Sequence, residues 1–267
     1  MNGSAGAAMT GDAQDGKPGI AWAKVSDDKQ RRAIELEQSK RPRPVIAAER
    51  IATALYEGKP VEVKDDAGQT IVFKMDHRGA VLWPARVEVD LDLTALVYEK
   101  PIDLSHAEFS GTVTLKNART GALDFDRSTF ETINAEGLKT GGDIRINAAT
   151  INRQFILEKS VINGDVWAEG LRINPDKGDL GNLTALFAQQ ARIQGSVLLS
   201  EGFSAEGRVA FNSAKVGGQF SCSNGSFKNP DGDALQCQAI DVTGSVFLSW
   251  GFSAEGVVEF NSAKVGG

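Results

Sequence analysis

An alternation of period two that restarts every ten or eleven residues runs through most of this 267-residue chain. Its pattern is Gly-x-apolar-x-apolar. Gly111, Val113 and Leu115 make one copy, and Gly121, Leu123 and Phe125 the next. Glu131, Ile133 and Ala135 fill a degenerate third, and Gly142-Ile144-Ile146, Arg153-Phe155-Leu157 and Gly164-Val166-Ala168 follow. A small residue and usually an apolar one stand upstream, as in Ala107-Glu108-Phe109-Ser110-Gly111. The joined unit is Ala-x-Ile-x-Gly-x-Val-x-Leu, nine alternating residues and then a two-residue corner. Such side chains stand on opposite faces of a strand. Helices repeat at 3.6 residues, so helical arrays are excluded. Propeller blades need four strands that differ from one another. A β-solenoid satisfies the pattern, because each unit buries its apolar face on its neighbours'. At about 22 residues per coil and a rise of about 4.8 Å, roughly seven coils would span about 35–40 Å.

A longer repeat overlies the short one. Gly195–Gly218 and Gly244–Gly267 align at an offset of 49 residues with 20 identities in 24 positions. Asn174–Gly181 and Asn224–Asp233 are polar loops ahead of the two copies. The copies differ where Trp250 replaces Glu201 and Val257 replaces Arg208. Facing outward, these would expose an apolar patch suited to contact. Trp250, Val257, Phe260 and Val265 are therefore the candidate interaction surface. The second copy stops at Gly267, where the first continues as Gln219-Phe220-Ser221-Cys222. Solenoids need caps over their apolar ends and strand edges. The expectation is a solenoid truncated or uncapped at that end: a piece of a longer protein, or an end that docks on a partner such as another copy.

Three segments follow. Residues 1–44 are expected to be disordered or partly helical, since the first 25 are small and polar. Residues 45–100 should cap the repeats. Val45–Tyr56 predicts a helix that Gly58 terminates, and Val61-x-Val63, a turn at Asp65–Gly68 and Ile71–Phe73 predict a hairpin. Residues 101–267 hold the repeats.

Residues 45–267 resemble a bacterial group of uncharacterised repeat proteins commonly labelled "membrane-associated oxidoreductase". The likeness rests on the nine-residue unit, on Gly-Phe-x-Ala-x-Gly at 202–207 and 251–256, and on Val216-Gly-Gly-Gln-Phe-x-Cys222. Ile102–Phe109 looks in addition like a loose pentapeptide repeat. The resemblance implies a right-handed β-helix with a small N-terminal cap. The label's redox activity is not carried over, because the chain has no dinucleotide fingerprint, haem motif or Cys-x-x-Cys.

Chemistry-bearing residues are sparse. Cys222 and Cys237 fall on strands, where a thiol serves as a small hydrophobe. His77 and His106 stand beside no recognisable nucleophile motif. Glu88, Asp90 and Asp92 form an alternating row of carboxylates that a solvated outer face explains. Glycine pairs such as Gly217-Gly218 have no helix behind them and suit tight corners. No catalytic, cofactor-binding or metal residue is assigned, and no cofactor is expected.

The chain holds 35 acids and 29 bases. Residues 1–100 carry 16 of the acids and 15 of the bases, so the acidic excess lies in the repeats. Direct nucleic-acid binding needs a basic face and is not expected. No apolar run approaches the roughly 18–20 residues of a membrane span, and the first twenty residues lack the basic start and apolar core of a signal peptide. A cytoplasmic location follows. The functional expectation is a non-catalytic rod-like scaffold or protein-interaction module, with self-assembly through its open end as one form. The alternatives are an acidic nucleic-acid mimic that binds a DNA-processing enzyme, and a carbohydrate-active or redox β-helix enzyme.

Overall fold

The computed structural model describes residues 45–59, 61–64, 70–82, 85–174 and 184–267. The expectation for residues 1–44 and the turn at 65–68 lie outside them. Helix α1 (Ala48–Glu57) starts three residues later than the sequence suggests. Val45 bridges to Arg86, and the Ile46 N–H donates to the Arg86 carbonyl at 2.8 Å, which holds those residues extended. Ala48, Ile51, Ala54 and Leu55 form its buried side. Gly58 ends it in the left-handed conformation (φ 69°), and its N–H caps the Ala54 carbonyl. Strands β1 (Val61–Lys64) and β2 (Thr70–Asp76) pair antiparallel, with Val61 opposite Phe73. β3 (Gly79–Val81) pairs antiparallel with β2 and parallel with Ile102–Asp103, where the stacking begins.

From there the chain is a parallel β-solenoid of about eight turns, each with four faces. The first face stacks Ile102, Leu123, Ile144, Val166, Val197, Phe220 and Val246, each pairing with the next. The second stacks Val87, Phe109, Phe130 and Ile151, the third Leu91, Val113, Ile133 and Phe155. The fourth begins with Val97, Arg119, Lys139 and Val161. One turn therefore holds two of the nine-residue units. The first-face steps of 21 or 22 residues up to Val166 match the expected coil length. The later steps are 31, 23 and 26 residues, and the first and last of them contain the two polar segments. The 49-residue repeat is two coils, which sets Val246 two rungs from Val197.

Corners decide why these short strands stack. Thirteen non-glycine residues among those described have positive φ. They fall into two columns, one per nine-residue unit. His106, Arg127, Ala148, Glu201, Asn224 and Trp250 turn the chain from first face to second. Ala95, Asn117, Lys159, Gln190, Ser213, Ala239 and Ser262 turn it from third to fourth. Each closes a tight turn, as where the Ala118 N–H donates to the Leu115 carbonyl at 3.1 Å. At one corner a neighbouring coil completes the turn: the Ser128 hydroxyl donates to the Leu104 carbonyl (2.8 Å) and accepts from the Ala107 N–H (2.9 Å). Glycine between fourth and first faces answers a different need. A Cβ on Gly217 would lie 2.2 Å from the Gln194 carbonyl oxygen, so close approach rather than a left-handed φ demands it.

Inside, apolar side chains stack on their own kind. The rings of Phe109 and Phe130 lie parallel at 5.0 Å, and Phe227 packs between Phe203 and Phe252. The corner geometry makes a prediction. Ala148 sits at φ 53°, where a β-branched side chain is strongly disfavoured. Ala148→Val should lower stability by about 1–2 kcal/mol and Ala148→Gly should not, as urea denaturation of the two variants would show.

Candidate functional site

The four residues singled out by the sequence lie on different sides of the last coil. Trp250 is a first-to-second corner residue, 88% exposed, and Val257 is 55% exposed where the second face turns into the third. Phe260 and Val265 occupy the inward positions of the third and fourth faces. Phe260 packs against the core, and Val265 is 47% exposed. The structure therefore does not gather the four into one outward patch. Cys222 and Cys237 are free and fully buried, and burial pushes both thiols far up.

The row Glu88, Asp90 and Asp92 is divided by a corner. Asp90 accepts the Thr112 N–H at 2.7 Å from the neighbouring coil, and Asp92 accepts the Thr94 N–H at 2.9 Å. Hydrogen bonds from the Thr94 hydroxyl and N–H hold the Asp92 carboxyl below its ordinary value. A closer carboxylate group lies on the first face. Asp103 and Asp124 are paired neighbours, Asp126 sits in the corner beside Asp124, and Arg145 on the next coil reaches both Asp124 (3.9 Å) and Asp126 (3.3 Å). Burial raises the Asp124 carboxyl to about 6. The Asp126 N–H it accepts opposes the rise, the charges of Asp126 and Asp103 add to it, and Arg145 lowers it.

The fourth face carries a feature that a linear reading misses. Its outward positions, coil by coil, are Val97, Arg119, Lys139, Val161, Arg192, Lys215, Asp241 and Lys264. Arg119 stands directly beside Lys139, and Arg192 directly beside Lys215. Like charges facing one another across a ladder are destabilising. Elsewhere the protein pairs opposite signs at such positions: Arg86 with Glu108 (3.6 Å), Arg145 with Asp124, and Lys228 with Glu255 (3.8 Å). Arg119, Lys139, Arg192 and Lys215 have no ion pair among the described residues. Asp241 follows Lys215 in the column but comes within ion-pairing distance of neither Lys215 nor Lys264. Around Arg192 and Lys215 the surface dips into a hollow of about 350 Å³, also lined by Val161, Lys159, Gln190 and Ser213. The signal was present in the sequence as the residue after the small one in Ala118-Arg119-Thr120, Ala191-Arg192-Ile193 and Ala214-Lys215-Val216. It emerges only when alternate units are read together.

Among the described residues no three of His, Cys, Asp and Glu converge to hold a metal, and no helix is long and apolar enough to cross a membrane. Compared with family models, curated proteins and solved structures, the chain gives no match.

Two outcomes are expected. A carboxyl raised in the fold favours folding while it is protonated, so its stabilising contribution is full below about pH 4 and is lost as pH rises through about 6. Asp124→Asn should match the parent in thermal midpoint at pH 4 and exceed it at pH 7.5. Lys215→Thr should raise the midpoint by about a degree at low ionic strength, and the difference should vanish at about 0.5 M salt, where the Debye length falls to a few ångströms.

Proposed function

We propose that this chain is a non-catalytic scaffold that binds a protein partner through the outer faces of its solenoid. The reading is carried by the fourth face. Stacking fixes its side chains at strand spacing on a continuous sheet, and four of them are bases left unpaired next to one another. Alternating sign serves a purely structural column better, as with Arg86 beside Glu108, Arg145 beside Asp124 and Lys228 beside Glu255; the first face breaks that rule once, where Asp103 stands beside Asp124. Unpaired like charge on a rigid surface suits a counterpart outside the molecule.

A second reading has one observation in its favour. Asp103, Asp124 and Asp126 with Arg145 beside them bring carboxylates from two adjacent coils and a base from the next to one face, and Asp124 is tuned to about 6. General acid catalysis on a sugar chain uses a carboxyl of that kind. The nucleic-acid mimic draws no comparable support, because no face is consistently acidic in the described residues: the first turns from Asp103 and Asp124 to Arg145, Trp167 and Leu198.

The two readings part in one assay. The full chain is incubated with a panel of acidic and neutral polysaccharides, and new reducing ends are measured. The scaffold reading expects none above the protein-free control. Release that disappears in Asp124→Asn would overturn it in favour of the enzyme. Light scattering over a range of concentrations then separates partners: mass rising above one chain makes another copy the partner, and constant mass leaves a heterologous one.

A further inference from the structure

We propose that the fourth face docks an acidic, extended polypeptide segment of a partner protein, with Arg119, Lys139, Arg192 and Lys215 as its carboxylate receptors. The inference rests on the scaffold reading and names the chemistry of its partner. These four bases occupy the outward positions of four coils, and Val161 fills the rung between the two pairs. From Arg119 to Lys215 the column runs four strand spacings, about 19 Å. An extended segment of about six residues has that length. Bases at equivalent positions on this protein already bond carboxylates one rung away, as Arg86 does with Glu108 and Lys228 with Glu255. A peptide lying along the face would supply the same partner at the same reach.

The surroundings favour polypeptide over nucleic acid. The outward positions of this face hold no aromatic side chain on which a base could stack. Asp241, next after Lys215, ends the basic run and so limits the anionic stretch it can receive to a short segment. Around the hollow, Gln190 and Ser213 offer neutral hydrogen-bonding groups, and Gln194 donates to Asn163 at 2.9 Å along the adjoining edge. Such groups suit peptide backbone. Val161, on the rung between Lys139 and Arg192 and lining the hollow, offers an apolar contact for a side chain between the carboxylates.

The test is fluorescence anisotropy of the full chain with three labelled probes: a sixteen-residue (Glu-Ser)₈ peptide, the isosteric (Gln-Ser)₈ peptide, and a sixteen-nucleotide oligothymidylate. Saturable binding of the Glu peptide that weakens with salt is expected, with the Gln peptide and the oligonucleotide each at least tenfold weaker. Arg192→Glu with Lys215→Glu should weaken the Glu peptide at least tenfold. Arg153→Glu with Arg172→Glu, an equal charge change at exposed positions away from the fourth face, should alter it less than twofold. Should the double variant fail to reach the parent's circular dichroism, Lys215→Gln alone serves, with about a threefold loss expected. The proposal is overturned if the Glu peptide does not saturate, if the oligonucleotide binds more tightly, or if the folded fourth-face variant binds as the parent does. Each of those results leaves the scaffold reading standing, since only turnover in the polysaccharide assay removes it.

Discussion

A backbone that turns four corners in some 21 residues risks stranding peptide groups beside a narrow apolar interior. Unpaired, such groups cost as much as a lost hydrogen bond each. The left-handed corner residue resolves this by directing its N–H along the stacking axis. The His106 N–H donates to the Asp126 carbonyl (2.9 Å), that of Arg127 to Asn147 (2.8 Å), and that of Lys159 to Gln189 (2.9 Å). A non-glycine residue in that conformation costs about 1–3 kcal/mol and persists only where its surroundings over-determine it. Here they do, because each such corner repeats in its neighbours and shares their hydrogen bonds. The same repetition brings the core into register, which is why Phe109 can lie flat on Phe130.

Register inside imposes register outside. An outward side chain has the same companions above and below for as long as the coils stack, so each face becomes a set of columns. A column can be settled by alternating sign, as Arg145 does over Asp124. The fourth face instead sets Arg119 against Lys139 and Arg192 against Lys215. Nothing in the stacking requires bases there. Thr150 takes the equivalent place on the second face without difficulty. The first face holds one like-charged contact of this kind, Asp103 beside Asp124, and the fourth face holds two in one column.

How much of this was legible in the sequence follows from the range of each interaction. The nine-residue alternation is local, and it led to the solenoid and to the burial of Cys222 and Cys237. The coil length of about 22 holds over the first three first-face steps, Ile102 to Val166, because nothing is inserted there. Helix α1 starts late because Val45 and Ile46 are claimed by Arg86, forty residues on. The left-handed corners could not be read, since His106, Arg127, Ala148 and Lys159 share no side-chain chemistry. What they share is a position relative to the coils above and below. The basic column was hidden for a related reason. Its members are separated by 20, 53 and 23 residues, and only the ladder makes neighbours of them.

Where the chain tolerates irregularity bears on the same face. The coil from Arg172–Ile173 to Leu186–Phe187 contains the first polar loop, and that from Phe227 to Leu235 the second. Both fall at the corner between the second and third faces, which uses neither left-handed column. Pairing resumes on either side of the loop, with Ala205 beside Phe227 and Val209 beside Leu235. Extra residues there disturb no corner hydrogen bond. Through both insertions the fourth-face column continues unbroken, Val161 to Arg192 to Lys215 to Asp241. A continuous column whose charge its own ladder does not neutralise is physically suited to receive an extended chain laid along it.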